Sequence, residues 1–434
     1  MSITACVLTL GCRVNQYESD AIIKELSKNG VTIKNSNEIC DIYIINTCSV
    51  TAESDRKSRQ LIRRCAQKNK DAVIIVTGCY SQINPEEALK IEGVSYVFGN
   101  NAKSQIAKKS LLLHKERTEP GMYVPSIYDK KFDVLRVGAP MSRTRAFIKI
   151  QDGCDSKCAY CIIPFARGSV RSNSAENIIS EVKSIVEEGC QEVVLTGIET
   201  AAYGRDFENG YSLADLLTEI NEIEGVERIR LGSLDPSAIT REFVDKIKGL
   251  SKVMNHFHIS MQNGSTKILN LMKRKYNIDM ARDNIHYLKK SIPKVMLSAD
   301  IITGFPCEDE EDFNKTYEFF KEEKFLHLHI FPYSKRKGTV AEAMKCQVPE
   351  NIKKERLHRL EELEREIKSE ILRSFIDRKE CLEVLFETYD GEFNEGHSRE
   401  FIQVRAKSQC SLNNKIVKIM PTHHENGILY GDIV

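Results

Sequence analysis

The chain has 434 residues, 63 Lys and Arg against 62 Asp and Glu, 41% hydrophobic and 29% charged residues, and 14 cysteines. That length suits two or three domains. The composition excludes a disordered chain and a uniformly basic nucleic-acid binder, and no apolar run is long enough to span a bilayer.

The opening stretch MSITACVLTLGCRVNQ lacks the basic segment and long apolar run of an export signal, so a cytoplasmic chain with no membrane partner is expected. In a reducing compartment, clustered cysteines point to metal or redox chemistry rather than disulfides. Over residues 1–115 the apolar runs ACVLTLGC, DIYIINTCSV and AVIIVTGCYS alternate with helix-like stretches such as ESDAIIKELSKNG and ESDRKSRQLIRRCAQKN. Unbroken apolar runs suit strands buried on both faces of a parallel sheet, which predicts an α/β domain. Cys12, Cys48 and Cys79 each end one run, about one βαβ unit apart, so neighbouring strand ends bring three thiols to one edge. Cys6, Cys40 and Cys65 read as ordinary buried residues. Residues 116–142, with Pro120, Gly121, Pro125, Gly138 and Pro140 and no period, read as a linker.

From Ala146 the strand candidates AFIKI, EVVLTGI, RIRLGSL, HFHISM, KVMLSADIITGF and FLHLHIFPYS are separated by stretches with apolar residues at helical spacing. Six βα units over 143–372 build an open sheet or a partial barrel, and in both the strand C-termini form the working face. Directly after the first strand comes QDGCDSKCAYCIIPFARG, which spaces Cys154, Cys158 and Cys161 as C-x3-C-x2-C. Zinc usually takes four ligands in C-x2-C pairs, and no second pair follows. Asp152, Gly153, Asp155, Ser156 and Lys157 make this a polar loop, which speaks against three buried structural thiols. A [4Fe-4S] cubane that only carries electrons takes four thiolates. Three leave one iron open, able to chelate the amino and carboxylate groups of S-adenosylmethionine. The strand-end trio also lacks a fourth ligand, so a second cluster there would have an open iron too.

Residues 351–379 form a long charged helix with a narrow apolar stripe, read as a solvated connector. The runs CLEVLFE, REFIQVRAK, KIVKIMP and GILYGDIV then predict a small all-β barrel, with the domain counted from 373 to 434.

The three-cysteine spacing, with Tyr160 before its last cysteine, resembles the radical SAM superfamily. The array TLGCRVNQYESD, NTCSVTAESDRKSRQLIRR, VTGCYSQ, QDGCDSKCAYCIIPFARG and DIITGFP resembles the methylthiotransferases over essentially the whole chain, most of all the branch acting on N6-threonylcarbamoyladenosine 37 of tRNA. The resemblance implies an N-terminal α/β domain, a partial (β/α)6 radical SAM barrel, and a C-terminal TRAM barrel, the last carried by GHSREFIQVRAK with Gly391, Gly396 and Gly431. It implies two [4Fe-4S] clusters, on Cys12, Cys48 and Cys79 and on Cys154, Cys158 and Cys161, and S-adenosylmethionine in a pocket built from Tyr160, Thr196, Gly197, Glu199, Ser233, Asp235, Gln262, Thr303 and Gly304. In the implied reaction one S-adenosylmethionine methylates a sulfur atom and a second is cleaved to a radical. The radical takes hydrogen from adenine C2, where the methylthio group arrives. The implied partners are a tRNA anticodon stem-loop and a low-potential electron donor such as flavodoxin or ferredoxin. One departure is Cys307, where family members typically have glycine after GFP; it reads as a substituted loop residue.

Arg56, Lys57, Arg59, Arg63 and Arg64 follow Cys48 on one helix and would draw phosphates with salt-sensitive affinity, although a solvated basic face is the bland account. The runs KRK at 273–275 and SKRKG at 334–338 are expected to widen this track. Three other readings stay open: the same reaction on N6-isopentenyladenosine, methylthiolation of a ribosomal protein aspartate, and an RNA-binding protein with structural zinc.

Overall fold

The computed structural model describes residues 2–116, 119–128, 131–138 and 144–434. The first six strands are β1 (Thr4–Thr9), β2 (Thr32–Ile33), β3 (Ile42–Thr47), β4 (Val73–Gly78), β5 (Tyr96–Phe98) and β6 (Gly121–Tyr123). They form one parallel sheet in the order β2-β1-β3-β4-β5-β6. β3 and β4 are buried along their whole length, which is why their sequences show no alternation. Cys6, Cys40 and Cys65 pack with Tyr43, Ile45 and Ile74 on one face, as expected of core thiols, while Ile42, Ile44 and Ile106 pack on the other. In this strand order the crevice for a ligand opens beyond the C-terminal ends of β1 and β3, where the order reverses.

The next strands are β7 (Arg145–Lys149), the short pair β8 (Gln151–Asp152) and β9 (Arg171–Ser172), then β10 (Glu192–Thr196), β11 (Arg228–Leu231), β12 (His256–Gln262), β13 (Met296–Thr303) and β14 (His327–Pro332). β7, β10 and β11 pair in parallel, as do β12, β13 and β14. Parallel bridges Ile229 to Val253 and Leu234 to Ile259 join the two sets into one six-stranded partial barrel. Its helices cover it outside, and the strand ends carrying the Cys154–Cys161 loop form one mouth.

The last strands, β15 (Leu382–Tyr389), β16 (Phe393–Ser398), β17 (Gln403–Lys407), β18 (Ile416–Glu425) and β19 (Ile428–Ile433), close into a barrel in the order β15-β16-β17-β19-β18. This small barrel sits at the N-terminal ends of the central strands. Arg228 donates to Glu383 O at 2.9 Å and His397 O at 3.0 Å, and Arg230 donates to Ser398 O at 2.7 Å. Arg145 pairs with Glu387, and Glu192 pairs with Arg145 and Arg230 at 2.7 Å.

Three expectations need correction. Helix Glu350–Asp377 is no solvated connector: Leu360, Leu363, Ile367, Ile371, Leu372 and Phe375 are buried in a core shared by the central and C-terminal barrels. Its apolar residues recur every three or four positions, and a stripe that narrow still seals a groove when both neighbours supply apolar partners. The helix also runs continuously through position 372, where a domain boundary was expected. Of the expected linker 116–142, residues 117–118, 129–130 and 139–142 lie outside the described residues. Gly121–Tyr123 is the sixth strand of the first sheet, and Leu135 and Val137 are buried against Tyr17 and Ala21. A three-residue strand is too short to show a period.

Candidate active site: two facing thiol triads

Cys12, Cys48 and Cys79 follow β1, β3 and β4, which are adjacent in the sheet, so Cys12 and Cys48 stand at the sheet's reversal point and Cys79 beside them, one strand along. Local packing enforces the approach. Gly11, at φ +100°, leaves room where a Cβ would lie 2.9 Å from Cys48 Sγ. Asn15 donates to Leu10 O at 2.7 Å and Thr47 O at 3.0 Å, tying the ends of β1 and β3 together. Ser58 on the following helix donates to Cys48 O at 3.2 Å. Cys48 and Cys79 are buried; Cys12 opens onto the cleft yet is densely surrounded by protein. Burial pushes the Cys48 thiol up to about 11, helped by the nearby Cys79 and Cys12, and burial also raises Cys12, against the pull of Arg167.

The second triad, half-buried, sits in the loop between β8 and the short helix Ile163–Arg167. Gly168 O accepts from the Cys154 amide at 2.9 Å, and Met272 O accepts from the Ala159 amide at 2.9 Å, which pins the loop at both ends. Arg274 donates to Cys158 Sγ at 3.2 Å and is held in turn by Asp235 at 2.6 Å. Cys154 donates to Glu199 at 3.0 Å. Burial pushes Cys161 up to about 12, and the neighbouring Cys158 and Cys79 add to the rise. Helix Cys79–Ile83, which begins at a thiol of the first triad, packs on helix Ile163–Arg167, which follows the second, so the two sets face each other across the domain junction. Asn100 spans the same gap, donating to Ala166 O at 2.8 Å with its amide 4.0 Å from Cys79 Sγ.

The donor sets fit iron-sulfur clusters better than single ions. Among the described residues, no three His, Cys, Asp or Glu side chains converge as ligands of one metal would. A cubane binds each thiolate through a different iron, so thiols ringing a gap suffice, and soft thiolates favour such clusters. Cys12 caps helix Arg13–Lys28 and Cys79 begins helix Cys79–Ile83, placing helix-start amides near ligands that become anionic when metallated. Among the described residues, Thr77 Oγ1, Tyr80 Oη and Asn100 Oδ1, all close to Cys79 in sequence or contact, are buried polar atoms without a protein partner.

The remaining sequence-expected residues separate into groups. Glu199 reaches Cys154 directly and Asp235 reaches Cys158 only through Arg274, and Tyr160 packs edge-on against Phe305 at 6.4 Å with its hydroxyl 3.4 Å from Arg274. Gly197 lies against Gln151, whose side chain accepts from the Glu199 amide at 3.0 Å. Thr196 ends β10 buried, and Ser233 is half-buried two residues after β11. Gln262 sits at a bulge in β12 with φ +63°. Thr303 and Gly304 pack against Lys353 of the long helix, with the Thr303 hydroxyl 3.4 Å from Lys353 O. Cys307, expected as a plain loop substitution, is bonded to Cys346, and its φ of +69° is the conformation a glycine would take there.

On the basic helix Ala52–Lys68, Arg63 and Arg64 are exposed, whereas Arg56 is already bound by Glu53 at 2.6 and 2.7 Å. Lys57 is exposed 4.0 Å from the same carboxylate, and Arg59 lies 5.7 Å from the Tyr80 ring, beside Cys79. The two further basic runs do not simply widen this track. Arg274 of KRK turns inward to Cys158, and Arg336 of SKRKG is 7% exposed, bound to Asp55 at 2.6 Å. Only Lys273, Lys275, Lys335 and Lys337 of those runs remain on the surface. A half-buried anionic or sulfur acceptor at such close range holds a guanidinium against water, which a run of basic letters cannot reveal.

The family model described as Radical SAM superfamily matches residues 148–320, and that described as uncharacterized protein family UPF0004 matches residues 4–99. The threonylcarbamoyladenosine tRNA methylthiotransferase MtaB of Bacillus subtilis (strain 168) is 41% identical over 96% of this chain and 93% of its own length. The chain belongs to the radical SAM tRNA methylthiotransferase family. A tRNA-2-methylthio-N(6)-dimethylallyladenosine synthase of Alkaliphilus oremlandii is 32% identical to this methylthiotransferase over 99% of the chain and 92% of the relative. The radical S-adenosylmethionine methyltransferase TsrM of Kitasatospora setae shares the fold, with a TM-score of 0.55 and 13% identity over 76% of this chain and 72% of that one. Arg274, Arg167 and Glu18 are site residues that sequence reading missed, because all three act through partners distant in the chain.

Proposed function

We propose that the chain inserts a methylthio group at C2 of N6-threonylcarbamoyladenosine 37 in the anticodon loop of tRNA, with Cys154, Cys158 and Cys161 holding the radical SAM cluster and Cys12, Cys48 and Cys79 the auxiliary one. The observation that carries the reading is the approach of the two thiol loops across one domain junction, where the helix that Cys79 begins packs on Ile163–Arg167 and the Asn100 amide reaches both Ala166 O, at 2.8 Å, and Cys79 Sγ, at 4.0 Å. When bound, the two clusters and S-adenosylmethionine supply the radical and the sulfur-methyl chemistry that acid-base groups lack. The side chains bind, orient and exclude water. Glu199 and Asp235 stand at the mouth beside Cys154 and Arg274 and would take the polar groups of S-adenosylmethionine. Arg63 and Arg64 offer exposed charge to phosphates on the helix that leaves the auxiliary triad.

The C-terminal barrel supports an RNA substrate rather than a free nucleoside. It docks at the end of the central strands opposite the triads, and strands of five residues are about 17 Å long. A substrate touching both therefore spans more than that, and adenine must leave its stack to enter between the triads. The threonylcarbamoyl group, rather than the dimethylallyl one, is favoured by the higher identity to the B. subtilis relative of that name. A low-potential donor such as flavodoxin or ferredoxin would supply electrons. Mass spectrometry of tRNA nucleosides from cells with and without the gene tests this directly. Loss of the methylthio-threonylcarbamoyl nucleoside is expected; loss of the methylthio-isopentenyl nucleoside instead would reassign the substrate.

A further inference from the structure

Between the two triads lies a set of buried charges that no step above uses. Glu18, on the helix capped by Cys12, is bound by Arg167 at 2.6 Å, by Lys149 at 2.8 Å and by Lys103. Asp152, two residues before Cys154, is bound by Lys149 at 2.6 Å and by Arg167 at 3.2 Å, with Arg171 at 3.6 Å. Arg167 also donates to Asn15 at 2.5 Å, the residue that ties β1 to β3. All six charged side chains are at most 4% exposed. They come from both domains: Glu18, Asn15 and Lys103 from the first, the rest from the central barrel.

Burying so many charges is expensive, and buried pairs are weak grounds for stability alone. The sum is also unbalanced, since two carboxylates face Lys103, Lys149, Arg167 and Arg171, and among the described residues no other carboxylate pairs with those four. A surplus of positive charge in a dry interior calls for an anion nearby. The nearest candidates are the thiols of the first triad: Arg167 holds Asn15, which bonds Leu10 O and Thr47 O beside Cys12 and Cys48, and its neighbour Ala166 is bridged by Asn100 to Cys79, and metal-bound thiols are thiolates.

We infer that the Glu18, Lys103, Lys149, Asp152 and Arg167 network fixes the spacing of the two triads and that its surplus positive charge raises the reduction potential of the cluster on Cys12, Cys48 and Cys79. The inference rests on the two-cluster reading. Reduction adds negative charge to a cluster, so a buried cation beside it favours the reduced state, and local charge is among the levers that set such potentials. Arg167 is thus a positioning residue, acting through its charge and through Asn15.

The test uses the full chain with Cys154, Cys158 and Cys161 replaced by Ala, loaded anaerobically with iron and sulfide so that only the auxiliary cluster remains, and titrated electrochemically with paramagnetic resonance as the readout. Arg167→Gln should move the midpoint to more negative potential, Glu18→Gln to less negative potential, and Arg167→Lys should stay near the parent. A merely structural role would not give shifts of opposite sign. Midpoints that do not move, or that move the same way in Arg167→Gln and Glu18→Gln, overturn the inference. If Arg167→Gln takes up no cluster, the comparison of Glu18→Gln with Arg167→Lys still reads the sign. A parent protein that binds no iron in this background overturns the two-cluster reading and the inference with it.

Discussion

Gly11→Ala is a one-atom test of how the auxiliary triad is held. A Cβ at that position would lie 2.8 Å from Cys48 Cβ and 2.9 Å from Cys48 Sγ, whereas carbon atoms settle about 3.5 to 4.0 Å apart. Cys48 must therefore retreat by roughly 0.7 Å. The φ of +100° adds to this, since a left-handed backbone costs an ordinary residue about 1–2 kcal/mol. Gly30→Ala is the control, because Gly30 has φ +77° with nothing within 4 Å of an added Cβ; it bears the backbone cost alone. A displacement near 1 Å in a positioned site can lower a rate about 100-fold. Purified, reconstituted protein should show iron and sulfide falling toward half in Gly11→Ala, methylthio product falling about 100-fold, and S-adenosylmethionine cleavage persisting. Gly30→Ala should keep all three and lose only a little thermal stability. If Gly11→Ala retains full iron and full methylthio turnover, the close packing of the first triad has been misread.

Other outcomes follow from the same contacts. Arg63→Ala with Arg64→Ala should weaken tRNA binding and flatten its salt dependence by about one unit of slope per charge; Arg56→Ala should do less, because Glu53 already holds Arg56. Filter binding at several salt concentrations decides between them. Cys307→Gly should respond to reductant. It removes a left-handed cost of about 1 kcal/mol, but under oxidising conditions it also loses a crosslink closing a loop of sequence separation 39, worth about 4 kcal/mol on the chain-entropy model. Melting temperature should thus rise with reductant present and fall without it. Leu360→Ala, at a fully buried position where the long helix packs on the central barrel, should cost about 2–5 kcal/mol, measured by denaturant unfolding.

Hydrophobic patterning made the architecture legible. Unbroken apolar runs gave β3 and β4, six βα units gave the partial barrel, and Gly-Cys or Thr-Cys at three run ends pointed to cysteines that follow adjacent strands. What stayed hidden depends on side-chain direction and on long separations. Arg274 sits between two exposed lysines, the first at φ +58°, yet turns inward to Asp235 and Cys158, partners 39 and 116 residues away in the chain. Arg336 finds Asp55 in another domain, and Arg167 finds Glu18. Short strands such as Gly121–Tyr123 carry too few residues for a period, so a sheet edge read as a linker. The long charged helix looked solvated because half its stripe is covered by a barrel that the local pattern does not see.

The central claim is that each thiol triad holds its own cluster. Iron and sulfide content, with Mössbauer spectra, should be measured on the parent chain and on two variants, one lacking Cys12, Cys48 and Cys79 and one lacking Cys154, Cys158 and Cys161. Each variant should keep half the parent's iron, all of it with cubane spectra. A variant that loses no iron, or one that loses all of it while still folded, would contradict the account.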